Sequence, residues 1–370
     1  MSVFENVKKN FGFGCMRLPM KDDKIDNEEF CKMIDSFIEA GFNYFDTAHG
    51  YHNGLSEIAL RECLTSRYPR ESYVLTNKLS SSYFKTEEEI RPYFEKQLKD
   101  CGVEYFDFYL MHAQDKNLFE KYKKCRAYET ALELQKEGKI KHFGLSFHDR
   151  AEVLEEILEA YPQIEVVQIQ FNYIDFEDAS VQSRKVYEVC RKFGKPIIVM
   201  EPVKGGSLVN LPAGAKDIFD DLNGGSYASY AIRFAASFEG VFMVLSGMGN
   251  MDMMRDNLSY MTDFVPLNEE EFDAVWQVCD IFRMQKRISC TACKYCMEVC
   301  PVQIPIPTLF ACMNDKTAFN DWNSSYYYKI HTKAAPKAGD CIKCGKCEEI
   351  CPQHLPVREL LAQVSEEFEK

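Results

Sequence analysis

Short apolar runs alternate with amphipathic stretches eight times between Phe11 and Thr262, and this rhythm limits the fold more than any other feature of the chain. The strand candidates are Phe11–Met16, Phe42–Phe45, Tyr73–Leu79, Phe106–Met111, Ile140–Ser146, Val166–Phe171, Ile197–Met200 and Phe242–Ser246. The helical stretches are Glu28–Ala40, Ser56–Ser66, Glu87–Cys101, Leu118–Glu137, Arg150–Ala160, Ala179–Phe193, Tyr227–Phe238 and Met251–Met261. Eight such units over about 250 residues have the size of an α/β (β/α)8 TIM barrel. A doubly wound sheet would carry a G-x-G-x-x-G turn after a strand; Phe11-Gly-Phe-Gly14 is too short a match and no helix follows it. Thr86 with Glu89 has the form of a capping box, and Asp26 with Glu29 is a weaker version. Pro266 breaks the pattern, and Asn268–Arg283 reads as a capped acidic helix. We expect residues 1–265 to form the barrel and 266–370 a linker helix with a small, mainly helical domain. Val203–Ser226, rich in Gly and Asp, is long for a barrel loop and reads as a surface insertion or a lid.

The C-terminal expectation comes from cysteines. Eight of the 16 fall in two runs, Cys290-x2-Cys293-x2-Cys296-x3-Cys300-Pro and Cys341-x2-Cys344-x2-Cys347-x3-Cys351-Pro. This spacing is that of [4Fe–4S] clusters, in which the fourth cysteine of each run serves the other cluster. Cys290, Cys293, Cys296 and Cys351 would hold one cluster, and Cys341, Cys344, Cys347 and Cys300 the other. Zinc is the alternative four-thiolate ion, but its structural sites usually pair two C-x2-C knuckles. The remaining cysteines (Cys15, Cys31, Cys63, Cys101, Cys125, Cys190, Cys279 and Cys312) are expected to be small buried hydrophobes rather than a disulfide framework.

Charge and hydropathy narrow the partners. With 44 basic and 57 acidic side chains the net charge is −13, which disfavours nucleic acid. No apolar run reaches the ~18–20 residues that span a bilayer. The first residues show no apolar signal core, so the expectation is a cytoplasmic protein with no membrane partner.

Four polar residues fall where barrel strands end, the face on which barrel enzymes build their sites. Asp46 ends the second strand and Tyr51 follows in the same loop; Lys78 ends the third strand and His112 follows the fourth. A tyrosine can protonate a carbonyl oxygen if its pKa is tuned toward working pH. A neighbouring lysine favours the phenolate, a buried aspartate keeps that lysine charged, and a neutral histidine donates to the same oxygen. Together the four suit carbonyl reduction or alcohol oxidation. His49, His52 and His148 also lie on mouth loops, where ordinary loop roles are the expectation.

The stretches Phe45-Asp-Thr-Ala-His-Gly-Tyr51, Val74-Leu-Thr-Asn-Lys78 and Asp107-Phe-Tyr-Leu-Met-His112 resemble the signatures of the aldo-keto reductase superfamily over residues 11–262. The resemblance implies Tyr51 as general acid/base, Asp46 and Lys78 as its tuning pair, and His112 as the carbonyl orienter. It implies a nicotinamide cofactor, NADH or NADPH, held by Gly14, Cys15, Met16, Asp46, Ser146, Gln168, Met200, Ser246 and Asn257. Phe147 stands where the family usually has Asn, and Met200 where an aromatic usually stacks on the nicotinamide. Gly247 and Met253 stand where the family often places the Lys and Arg that clamp a 2′-phosphate; Arg255 and Lys204 are nearby cations out of register. The cysteine runs resemble dicluster ferredoxin domains, so the whole chain resembles the iron–sulfur-containing branch of the superfamily.

Two functions follow as expectations. The first is an oxidoreductase acting on a small carbonyl or alcohol, with two [4Fe–4S] clusters for electron transfer or structure. The alternative is a redox sensor or electron-transfer subunit with a vestigial barrel, docked on a redox partner protein.

Overall fold

The structure, a computed structural model, describes residues 4–222, 224–284, 288–290, 292–320 and 322–370. Eight parallel strands close on themselves: β1 (Phe11–Gly14), β2 (Tyr44–Asp46), β3 (Val74–Leu79), β4 (Phe106–Gln114), β5 (Ile140–Phe147), β6 (Val166–Gln170), β7 (Ile197–Met200) and β8 (Val241–Ser246). β1 pairs with both β2 and β8 and completes the barrel. The interior is tight enough to require glycine at one crossing, because a Cβ on Gly144 would lie 2.5 Å from the Val166 carbonyl oxygen. Phe4 plugs the N-terminal end, packing edge-on against Phe108 at 4.9 Å between centroids.

The outer ring comprises α1 (Asn27–Glu39), α2 (Leu55–Leu60), α3 (Ile90–Cys101), α4 (Lys116–Lys124), α5 (Ala127–Lys136), α6 (Ala151–Ala160), α7 (Ser183–Lys192), α8 (Ala213–Leu222), α9 (Tyr227–Ala236) and α10 (Met251–Met261). Several differ from the expected stretches for local reasons. The Ser56–Ser66 stretch ends in a π turn at Arg61–Thr65. The Leu118–Glu137 stretch breaks where Arg126 adopts φ 51°, and α7 starts late because Gln182 adopts φ 56°. The weaker cap forms, with Asp26 accepting from the Glu29 N–H at 3.1 Å. The Thr86 box does not: a 3-10 turn precedes α3, and Glu89 reaches back to the Lys85 N–H instead.

The Val203–Ser226 insertion, apart from Asn223, which lies outside the described residues, packs as a surface element. Leu208, Leu211, Ala215 and Phe219 are buried, and Phe219 stacks on Tyr230 at 4.2 Å. The cysteine expectation needs one correction. Cys31 and Cys63 form a disulfide between α1 and the π turn after α2, two segments whose proximity the sequence does not reveal. Cys15, Cys101, Cys190, Cys279 and Cys312 are buried as expected.

Beyond Pro266, α11 (Glu269–Met284) lies against the barrel: Phe272 and Trp276 meet Phe234, and the Arg233 guanidinium grips both Glu271 oxygens at 2.6 and 2.9 Å. Then follow α12 (Tyr295–Val299), α13 (Ile306–Phe319), α14 (Trp322–Thr332), α15 (Lys346–Glu349) and α16 (Val357–Phe368) around a second apolar core. That core includes Cys296, Cys300 and Cys347 with Phe310, Tyr328 and Leu361. Among the described residues no helix is long and apolar enough to cross a membrane.

Candidate active site

Parallel register sets the strand ends level with one another. Gly14 lies beside Asp46, Asp46 beside Thr76, Ser146 beside Gln168, and Phe13 beside Ser246. At this end the structure brings Asp46, Tyr51 and Lys78 into direct contact. The Lys78 ammonium donates to Asp46 Oδ1 at 2.5 Å, to the Thr47 carbonyl at 2.9 Å and to the Tyr51 hydroxyl at 3.2 Å. The three are wholly or largely shielded from solvent, and Gln168 Nε2 donates to the second Asp46 oxygen at 3.1 Å.

Burial governs the proton affinities here. It pushes the Asp46 carboxyl up and pulls the Lys78 ammonium down, but the Asp46 and Tyr51 charges outweigh that pull and raise Lys78, so it stays charged. Tyr51 is raised above the ordinary phenol value by burial, with Lys78 opposing only in part. The lysine thus limits the rise rather than producing a low pKa, and Tyr51 rests as the protonated phenol.

His112 meets the Tyr51 ring edge-on at 6.1 Å. Burial, then the charges of Lys78 and His148, hold its pKa well below the usual value, so the ring is neutral. The Ser80 hydroxyl lies 2.6 Å from His112 Nδ1. When Ser80 donates there, Nε2 carries the proton. The strand is distorted just past this point: pairing of β4 with β5 slips between Met111 and Gln114, and Ala113 adopts φ 54°. Such bulges re-aim side chains beside active sites.

The other expected residues divide. Ser146 Oγ accepts from the Ala113 N–H at 2.7 Å, which leaves its own hydroxyl proton available. Met16 and Gly14 border the mouth, Met200 ends β7 and Ser246 ends β8. Asn257 is buried with Oδ1 unpartnered, while its amide donates to the Met253 carbonyl at 2.9 Å. An orphaned buried acceptor suits an exocyclic amine such as adenine's. Cys15 presents nothing to a cofactor: its N–H donates to Asp46 O, its carbonyl accepts from Ser56, and its thiol is fully buried. Lys204 is likewise removed from any phosphate role, being fully buried between Asp175 at 2.6 Å and Asp315 at 3.2 Å. Arg255 is exposed and pairs with Asp252 at 3.3 Å. Met253, at the other position where the family often has a cation, is exposed.

Arg17 is a residue that the motif reading passed over. Its stem lies 3.4 Å from where a Gly247 Cβ would sit, and its Nη2 lies 3.4 Å from the same point on Gly205 and 3.9 Å from Glu201. The side chain therefore runs from the loop after β8, which its stem touches, to the loop after β7, where its guanidinium lies. Its signal was its position directly after Gly14-Cys15-Met16. Among the histidines, His49 bonds the buried Glu57 at 2.5 Å and His52 accepts from the Leu18 N–H at 3.3 Å, both loop roles. His148 touches the C-terminal helices, as described below.

The cysteine runs enclose two separate voids. Cys290, Cys293, Cys296 and Cys351 line one; Cys300, Cys341, Cys344 and Cys347 line the other. Each void is walled by three thiols of one run and the last thiol of the other, with Ile306 between them, so the donor sets fit two iron–sulfur clusters.

Comparison with known proteins extends this geometry. Residues 10–280 match the aldo/keto reductase family, and residues 289–355 match the 4Fe-4S dicluster domain. An uncharacterized oxidoreductase of Schizosaccharomyces pombe is 25% identical over 70% of this chain and 83% of its own length. An NADH-specific methylglyoxal reductase of Escherichia coli is 28% identical over 50% of this chain and 62% of its own. In fold, a Bacillus halodurans aldo-keto reductase superposes with a TM-score of 0.57 at 22% identity, covering 73% of this chain and 91% of that one. A Klebsiella pneumoniae aldo-keto reductase in complex with NADPH gives 0.58 at 17% identity, covering 74% and 95%. The barrel and its matched sequence place this oxidoreductase in the aldo/keto reductase family, in a branch that carries a 4Fe-4S dicluster domain after the barrel.

Proposed function

We propose that the protein interconverts a carbonyl compound and its alcohol with a nicotinamide cofactor, Tyr51 being the proton donor in reduction. The observation that carries this reading is the Tyr51 hydroxyl 3.2 Å from a buried lysine that is itself locked on Asp46. A substrate carbonyl oxygen accepts from the Tyr51 hydroxyl and from neutral His112. The nicotinamide, when bound, supplies the hydride. As charge builds on the oxygen, the Tyr51 proton moves to it, and the Lys78 ammonium stabilises the phenolate that remains. A solvent proton then restores the phenol. In alcohol oxidation the same groups run in reverse, with the phenolate as base.

Gly14, Met16, Ser146, Gln168, Met200, Ser246 and Asn257 would hold the cofactor, with Arg17 placed to meet its pyrophosphate. Gly247 and Met253 stand at the two positions where the family often places the cations for a 2′-phosphate, and the nearby Arg255 is paired with Asp252. We therefore assign NADH as the better substrate, as the name of the E. coli relative states for that protein. The test is steady-state turnover with aldehydes using each nucleotide. NADH should exceed NADPH in kcat/KM by about tenfold, the scale of one charge-assisted contact. Arg17→Ala should raise the KM of both nucleotides by a similar factor with kcat little changed. Equal use of both nucleotides would contradict the assignment, and no turnover of any carbonyl would overturn the reading.

We propose residues 1–265 as the catalytic barrel and 266–370 as the linker helix and cluster-bearing region, with two [4Fe–4S] clusters in the two thiol-lined voids. Cys296, Cys300 and Cys347 sit inside the second core, so the clusters help hold that region together. Cys293 and Cys344 are exposed, which gives each cluster an edge open to a redox partner protein.

A further inference from the structure

Helix α14 belongs to the cluster-bearing region in sequence, yet it sits on the catalytic end of the barrel. His148, in the loop after β5, meets the Tyr326 ring edge-on at 5.3 Å, and its Nδ1 lies 3.3 Å from the Tyr327 hydroxyl. The Tyr327 hydroxyl donates to Gln170 Oε1, at the end of β6, at 3.0 Å. Gln170 in turn donates to Asp175 at 2.7 Å, and Asp175 holds the buried Lys204 that also grips Asp315 on α13. Farther along α14, His331 bonds the Ser180 carbonyl at 2.9 Å, and just beyond its end Lys333 pairs with Asp115 at 3.6 Å. The helix is thus pinned to the barrel through polar contacts with the strand ends and loops after β4, β5 and β6, and Tyr326 lies one residue before the first of those pins, against His148.

Tyr326 and the catalytic centre are close enough to influence each other. Burial raises the Tyr326 phenol, and the charges of Asp115 and Tyr51 raise it further. His148 contributes to the low proton affinity of His112 and is itself held down to about 4 by burial and the Lys78 charge. Tyr51 meets the His112 ring, accepts from the Lys78 ammonium and feels the charges of Asp46 and Glu201. His112 and His148 are neutral, Tyr326 packs against Trp322 at 5.5 Å, and Tyr83 has its hydroxyl 3.7 Å from where a Gly50 side chain would begin. Among the described residues, the cation whose charge reaches Tyr51, His112 and His148 is Lys78, and it is committed to Asp46.

From this juxtaposition we infer that α14 forms the outer wall of the carbonyl pocket and that Tyr326 selects uncharged aryl or conjugated carbonyls by ring contact. The inference rests on the carbonyl-reductase reading above. A ring wall favours a planar substrate through offset or edge-to-face packing and burial of its faces. With Lys78 engaged by Asp46 and the Glu201 charge also acting on Tyr51, a substrate carboxylate is disfavoured at this point. The substrate site of this chain is therefore completed by the region that carries the clusters.

The test uses the intact, cluster-loaded protein with 4-nitrobenzaldehyde and propanal as probes. Tyr326→Ala should lower kcat/KM for the aryl aldehyde about tenfold, through KM rather than kcat, and leave propanal within about twofold. Tyr326→Phe should behave as wild type. Tyr326→Leu, which keeps bulk without a ring, should follow Ala and serves if the alanine variant fails to fold. Iron content and nucleotide KM report that the rest of the molecule is intact. Wild-type turnover of both aldehydes with an unchanged aryl kcat/KM in Tyr326→Ala and Tyr326→Leu overturns the inference alone. Wild-type protein that reduces neither aldehyde overturns the underlying reading, and the inference with it.

Discussion

Tyr51→Phe should lower kcat for carbonyl reduction by about 100- to 10,000-fold, the range that positioned general acids contribute, with nucleotide affinity unchanged. The substitution is clean because the phenylalanine ring can keep the edge contact with His112 and the place beneath the Lys78 ammonium, 4.9 Å from the ring centre. Lys78 loses one of three acceptors and retains Asp46 and the Thr47 carbonyl. Replacing Lys78 itself is a poorer probe, since it leaves a buried Asp46 without its partner, a defect that costs about 3–5 kcal/mol. The pH dependence of the wild-type enzyme follows from the same geometry. Reduction needs the phenol, and burial raises its pKa. The reduction rate should therefore hold through neutral pH and fall only above the ordinary phenol value of about 10. Alcohol oxidation needs the phenolate, so its rate should climb toward that pH. Neither limb should appear in Tyr51→Phe. An alkaline limb that survives the substitution would assign the titration to another group.

The second large effect concerns which cysteine serves which cluster. Cys300 is the last thiol of the first run, but it lines the void of the second. Cys300→Ser should remove about half the iron, as should Cys293→Ser and Cys344→Ser, since each spoils one cluster. The double variants separate the two possible pairings. Cys300→Ser with Cys344→Ser spoils the same cluster twice and should still hold about half. Cys300→Ser with Cys293→Ser spoils both and should hold almost none. Iron analysis with the paramagnetic resonance of the reduced protein reads both outcomes. The reverse pattern would mean that each run closes on its own cluster. A protein that binds zinc and no iron would overturn the cluster assignment.

The two halves of the molecule were legible to different degrees because their signals are local to different extents. Barrel strands announce themselves as short apolar runs, and a strand end fixes which face a residue lies on. Asp46, Lys78 and His112 could therefore be placed on one rim from sequence alone. Cysteine spacing is equally local, and the crossed thiol sets of the two voids match the division expected from the runs. What escaped depends on contacts between distant segments. The Cys31–Cys63 bond joins two helical segments that no motif ties together. In sequence Lys204 is a cation near the adenosine-phosphate segment but out of register, and Asp315, more than a hundred residues later, helps bury it. Arg17 gains its meaning from Gly205 and Gly247, which pack beside it only once the barrel closes. The place of Tyr326 over His148 and of Tyr327 over Gln170 depends on how α14 docks, which no local pattern carries.

In the proposed mechanism electrons leave the nicotinamide as a hydride to a carbonyl at Tyr51. The most direct test mixes cluster-loaded protein anaerobically with NADH and an aryl aldehyde, following nucleotide and cluster absorbance together while alcohol is measured. One alcohol should form per NADH oxidised, with the cluster absorbance steady during turnover and no such turnover in Tyr51→Phe. NADH oxidation that bleaches the clusters without forming alcohol would contradict this mechanism and leave the barrel as an electron-entry module for a partner protein.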